Sequence, residues 1–240
     1  MPFLAMATST AAGFTAELEE LRDPVELTKT LRYFTAGPDE EFIGVRMGSI
    51  FTLAKRHLDM PAADLEAMLE SPVHEVRVGA CSIMGKAAAA RTATVERRGE
   101  LYELYLRRSD RVNNWDLVDL AARDVLGGWL ADKPRDPLYR LARSSFWPDR
   151  RSALLATAWF IRAGDVNDAL ALSELLVADP EPLVTKAAGW MLRYAGDSDR
   201  PALLAFLDAH AGAMPRVMLS NALEHLDAAE KAHYRSLPAS

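Results

Sequence analysis

Strand signals are nearly absent from this chain, and so is cysteine. Apolar residues recur at helical spacing, Ala and Leu dominate, and the period-two alternation of a half-buried strand is missing almost throughout, which excludes a sheet-based fold. A single cysteine, Cys81 in the run VGACSIMG, excludes an internal disulfide and a thiolate zinc cluster. A reduced, cytoplasmic setting is the expectation. No apolar run is long enough for a membrane span, and the start MPFLAMATSTAAGF lacks a positive n-region. Residues 1–13 therefore read as a disordered tail ahead of a single domain over 14–236. The five histidines are scattered, Val78 stands where a metalloprotease helix begun by His74 and Glu75 needs its second histidine, and no phosphate-loop, nucleophile-elbow or dinucleotide fingerprint occurs. No metal and no cofactor are expected.

Positive charge is also short overall, with a formal net charge of −6. That balance argues against generic nucleic-acid binding, but its distribution does not. Residues 86–151 carry 14 Lys and Arg against 10 Asp and Glu, a local +4, while the remainder stands at −10. A basic middle sits inside an acidic protein.

What the chain does contain is repetition. VRMGSIFTLAKRH from 45 is echoed by VRVGACSIMGKAA at 76, NWDLVDLAARDVLGGWL at 114, RRSALLATAWFIRAG at 150 and VTKAAGWMLRYAG at 184. Units of roughly 30 to 40 residues, each with two or more helices, predict an all-α, HEAT-like helical-repeat solenoid with a concave face, on which equivalent positions of successive repeats line up.

Three successive repeats place unusual residues at that position. The third carries Trp115 and Asp119, the fourth Arg151 after Arg150, and the fifth Trp190 with Lys186 four residues before it and Arg193 three after. On a helical wheel Leu117, Val118, Ala121 and Val125 form one apolar face, and Trp115 and Asp119 project from the other side above the small Ala122. Asp116 has an ordinary task, since a carboxylate in the first helical turn meets unpaired N–H groups and the positive end of the helix dipole. Asp119 has none. A lone tryptophan in a helical repeat is usually core and a lone aspartate usually solvated. Two indoles and an acid at matched positions make poor core and a good site.

The segments FIGVR (42–46), HEVRVGA (74–80), NNWDLVD (113–119), WPDRRSAL (147–154), KAAGWMLR (186–193) and MPRVML (214–219) resemble, in order, the motifs of the AlkD-type DNA alkylation repair family, HEAT-like-repeat DNA glycosylases. The likeness runs from about residue 30 to 235. It implies a concave DNA-binding face, Asp119 as the catalytic aspartate, Trp115 and Trp190 flanking the lesion, Arg151 contacting DNA, and Arg193 matching the arginine after the second tryptophan. Arg150 and Lys186 join them as expected phosphate contacts. The implied reaction is removal of positively charged alkylpurines, such as N3-methyladenine, N7-methylguanine or bulkier adducts, from duplex DNA without base extrusion, by a monomer. One segment departs from the pattern: Met218 is followed by LSNALEH, where related proteins commonly carry a basic residue. A non-catalytic binder of branched or damaged DNA and a helical-repeat scaffold for a protein partner are the alternative readings.

Overall fold

Helix starts follow the local chemistry of the sequence. Asp23 caps a helix with Pro24 at its first position, Thr94 accepts from Arg97 N at the next such start, and Asp227 with Glu230 forms a reciprocal capping box. The computed structural model describes residues 9–34 and 40–237, and among them fourteen α-helices and no named strand occur, so the all-helical expectation holds. By packing, the described residues group into two compact units, one within 1–121 and one within 122–240.

The first unit contains α1 (Ala11–Glu19), α2 (Pro24–Thr30), α3 (Met47–Ala54), α4 (Ala62–Glu70), α5 (His74–Ala89), α6 (Val95–Arg107) and nearly all of α7 (Trp115–Ala122). The second contains α8 (Asp136–Leu141), α9 (Trp147–Ile161), α10 (Asn167–Leu175), α11 (Pro182–Ser198), α12 (Arg200–His210), α13 (Arg216–Ala222) and α14 (Ala228–Ser236). The five repeated motifs fall on α3, α5, α7, α9 and α11. Inside the first unit α3 packs on α5 and α4 on α6. Inside the second, α9 packs on α11, α11 on α13 and α10 on α12. Each unit thus stacks like helices on like helices, the arrangement that repetition predicts.

The expected tail is partly helix. Residues 1–8 lie outside the described residues, but Thr10 caps α1, Ser9 Oγ lies 3.0 Å from His57 Nδ1, and Phe14 and Leu18 are fully buried. One helical turn apart, those two buried apolar side chains anchor α1.

Two glycines set how closely the motif helices approach. A Cβ at Gly85 of α5 would stand 2.1 Å from the Leu120 carbonyl oxygen of α7, and one at Gly189 of α11 would stand 2.5 Å from the Met218 carbonyl oxygen of α13. Any larger residue would push these helices apart.

Candidate functional site

In the first unit, the predicted apolar face of α7 is buried at Leu117, Val118 and Ala121, so the opposite face turns outward. Asp119 is exposed and Trp115 half-buried, one helical turn apart. The Trp115 indole is held flat against Phe34, with ring centroids 5.8 Å apart and planes 5° from parallel. Phe34 also meets the His74 ring at 5.2 Å, and Phe42 meets both. Directly after Ala122 the helix widens into a π-helical segment, Arg123–Gly127; such segments recur at functional positions.

Asp116 does not have the minor role expected of it. It is 4% exposed, and its Oδ2 lies 2.7 Å from His74 Nε2. His74 Nδ1 lies 3.0 Å from Glu40 Oε1, and Arg77, itself buried, pairs with Glu40 and donates to the Ser71 carbonyl at 3.0 Å. Burial alone pushes the His74 pKa down. The hydrogen bonds to Asp116 and Glu40, with their charges, outweigh it and raise the value to about 9. The imidazole is therefore protonated at neutral pH, and Arg, Glu, His and Asp alternate in sign along one buried chain. This network fixes the first turn of α7, from which Trp115 projects. His74 and Glu75 stand in the HEVR segment, and Glu75 accepts from Ile43 N at 3.1 Å and Gly44 N at 2.8 Å, so FIGVR and HEVR clasp each other.

In the second unit, Trp190 is half-buried on α11, and its Nε1 donates to Asn221 Oδ1 at 2.9 Å. Asn221 is steadied by donating to the Val217 carbonyl at 2.7 Å. It belongs to LSNALEH, the segment that departs from the family pattern, so that segment supports the indole. The Arg151 guanidinium carbon lies 5.2 Å and the Lys186 Nζ 5.3 Å from the Trp190 ring centre.

The expected DNA contacts separate into groups. Lys186 is half-buried beside Trp190. Arg193 pairs with Glu224 and lies over the Tyr194 ring at 5.0 Å. Arg151, expected to face DNA, is only 1% exposed and donates to the Leu183 carbonyl. Arg150 is committed inside the protein. It grips Asp179 with Nε at 2.6 Å and Nη2 at 3.0 Å and spends Nη1 on the Ser144 and Ser145 carbonyls. The basic middle is largely answered in the same way, by Glu66 for Arg107, Glu70 for Arg108, Asp124 for Arg123, and Asp165 and Asp168 for Arg135. Among the described residues no helix is long and apolar enough to cross a membrane, and no group of three or more His, Cys, Asp or Glu could hold a metal ion.

The fold is that of a helical-repeat protein, with aromatic side chains half-buried on its motif helices. The family model for DNA alkylation repair enzyme matches residues 14–226, and this chain belongs to that family; its role is in the repair of alkylated DNA. A solved structure, a predicted DNA alkylation repair enzyme from Enterococcus faecalis, shares the fold with a TM-score of 0.66, covering 86% of this chain and 97% of that one at 16% identity. No curated protein matches the sequence.

Proposed function

We propose that the protein is a monofunctional DNA glycosylase that, as a monomer, releases positively charged alkylated purines from duplex DNA without extruding the base. The observation that carries this reading is Asp119, an exposed carboxylate one turn beyond an aromatic platform on a helix whose first turn is fixed by buried ion pairs. An N3- or N7-alkylated purine already bears a positive charge, so it needs no proton to leave. As the C1′–N bond breaks, its electron pair neutralises the base and positive charge builds on the deoxyribose. Asp119 stabilises that charge and orients the water that adds to C1′, and the products are the free base, an abasic site and one proton.

The two indoles take different tasks. Trp115 stacks on a neutral ring beside a carboxylate and suits the cationic base and its sugar. Trp190 already has Arg151 and Lys186 near its ring and suits the phosphate side, with Lys186 and Arg193 as the cations that meet the strand. Arg151 positions the indole. Incubating the purified protein with a duplex carrying N7-methylguanine should yield free N7-methylguanine and alkali-labile abasic sites. Duplex binding without release would replace this reading with a non-catalytic DNA binder, and absence of both would leave a protein scaffold.

A further inference from the structure

A stack of repeats leaves its terminal unit without a neighbour on one side. Among the described residues α13 is the last helix stacked on the motif helices, through its packing against α11. Asn221 marks the covered side: it accepts from Trp190 of α11, and a Cβ at Gly189 of α11 would come within 2.8 Å of the Asn221 Cβ. Arg216 and Leu219 precede Asn221 by five and two positions, which at about 3.6 residues per turn sets both on the opposite side of α13. There they line a cavity of about 450 Å³, closed by α14 and the Ala211–Ala213 turn.

Met214, Leu219, Tyr234 and Leu237 give this cavity apolar walls, and the Tyr234 hydroxyl is already spent on Asp208 Oδ1 at 2.8 Å. Among the described residues no carboxylate lines it, whereas two exposed arginines do, Arg216 and Arg235. Elsewhere in this unit acids answer the arginines: Asp165 and Asp168 for Arg135, Asp179 for Arg150, Glu224 for Arg193 and Glu230 for Arg200. Among the described residues neither Arg216 nor Arg235 has a carboxylate partner. Their surroundings are acidic all the same, since residues 197–240 carry six Asp and Glu against four Lys and Arg. A long polyanion laid across this end meets those acids, while a short segment entering the cavity meets the two guanidiniums.

We infer that this cavity docks an acidic peptide segment of a partner protein, with one bulky apolar side chain against Met214, Leu219 and Tyr234 and neighbouring carboxylates held by Arg216 and Arg235. A guanidinium matches a carboxylate with two parallel N–H donors, and apolar walls supply the burial that a purely ionic contact lacks. The volume falls in the range of ligand sites, about 300–1,000 Å³. Exposed guanidiniums suit a chain that passes over the surface, not an enclosed metabolite. The cavity supplies no residue to base release, so it stands or falls apart from the glycosylase reading.

The probe is a short fluorescein-labelled peptide, a run of aspartates ending in phenylalanine, titrated with the full chain at low ionic strength and followed by anisotropy. Wild type should bind it saturably. The double variant Arg216→Gln, Arg235→Gln should bind about 10-fold or more weakly, the scale of losing a charge-assisted hydrogen bond. Arg216→Lys, Arg235→Lys should recover only part of that, because an ammonium lacks the two-pronged fit to a carboxylate. Arg162→Gln removes an exposed arginine of the same unit outside the cavity and should change nothing. Exchanging the probe's phenylalanine for alanine should also weaken binding to wild type by about 10-fold or more, an arm that needs no variant to fold. Thermal melts check the variants. Equal affinity of wild type and the folded Gln double variant, or of the phenylalanine and alanine probes, overturns the site, and so does a wild type that does not bind. A double variant that instead loses affinity for undamaged duplex gives the arginines to DNA. A dimer seen by light scattering and abolished by the double variant gives the cavity to a second copy of this chain.

Discussion

Trp115 and Trp190 are both half-buried indoles on motif helices, yet the two units hold them by opposite means. In the first unit the anchor is ionic and deep: four charged side chains alternate in sign under α7, and Phe34 lies flat on the ring. In the second it is a neutral amide bond to Asn221, with Arg151 and Lys186 beside the ring. The outward-facing charge near Trp115 is an acid, and the charges near Trp190 are bases. On the proposed reading, the first station meets a developing cation and the second an anionic strand.

The anchors should fail by different amounts. Asp116→Asn leaves a buried imidazolium with one anion fewer and should destabilise the protein by about 3–5 kcal/mol, the usual consequence of breaking a buried pair, read as a lowered urea midpoint. Asn221→Ala removes one hydrogen bond from Trp190 and should cost about 1 kcal/mol. Equal losses would show that the ionic anchor is no deeper than the amide.

Titration should separate the units further. The folded pKa of His74 is raised from 6.5 to about 9, so the stability it contributes is fully present below pH 6.5 and is lost as pH rises through 9. The shift corresponds to about 3 kcal/mol. Chemical denaturation across that range should show the loss in wild type and a flatter profile in His74→Gln, whereas a parallel decline in both would remove the imidazolium from the account.

The smallest effect concerns the indoles as binding groups. Trp115→Ala should lower excision of N7-methylguanine by roughly 2- to 30-fold, the worth of one cation–π contact of about 0.5–2 kcal/mol. Trp190→Ala should mainly weaken binding of undamaged duplex. The reverse pattern would exchange the two assignments.

Much of the fold is legible in the sequence because helical periodicity and repetition are local signals. The motif starts at 45, 76, 114, 150 and 184 fall within three residues of α3, α5, α7, α9 and α11, and the apolar wheel of α7 is buried as drawn. The start of α1 was also written in the chain, in Thr10 as a cap and in Phe14 and Leu18 one turn apart, but an end with no positive n-region and only a short apolar run reads as a tail. The task of Asp116 was not legible. Its first-turn position explains it locally, and only the fold brings His74 against it from 42 residues away. The same holds for Arg150 and Asp179, 29 residues apart. In an arginine-rich stretch, sequence counts cations and cannot count the acids that later repeats bring to meet them. The Trp190 partner, Asn221, lay in the segment noted only for lacking a basic residue, and Gly189 beside the tryptophan was the available sign that another helix passes close by.

The most direct test of the account is single-turnover release of N7-methylguanine by Asp119→Asn. The substitution keeps shape and removes the anion, so the rate should fall by roughly 10²-fold or more, the scale of losing one electrostatic stabiliser of a transition state, while the melting temperature and duplex affinity stay near wild type. A folded, DNA-binding Asp119→Asn protein that releases the base at the wild-type rate would contradict it.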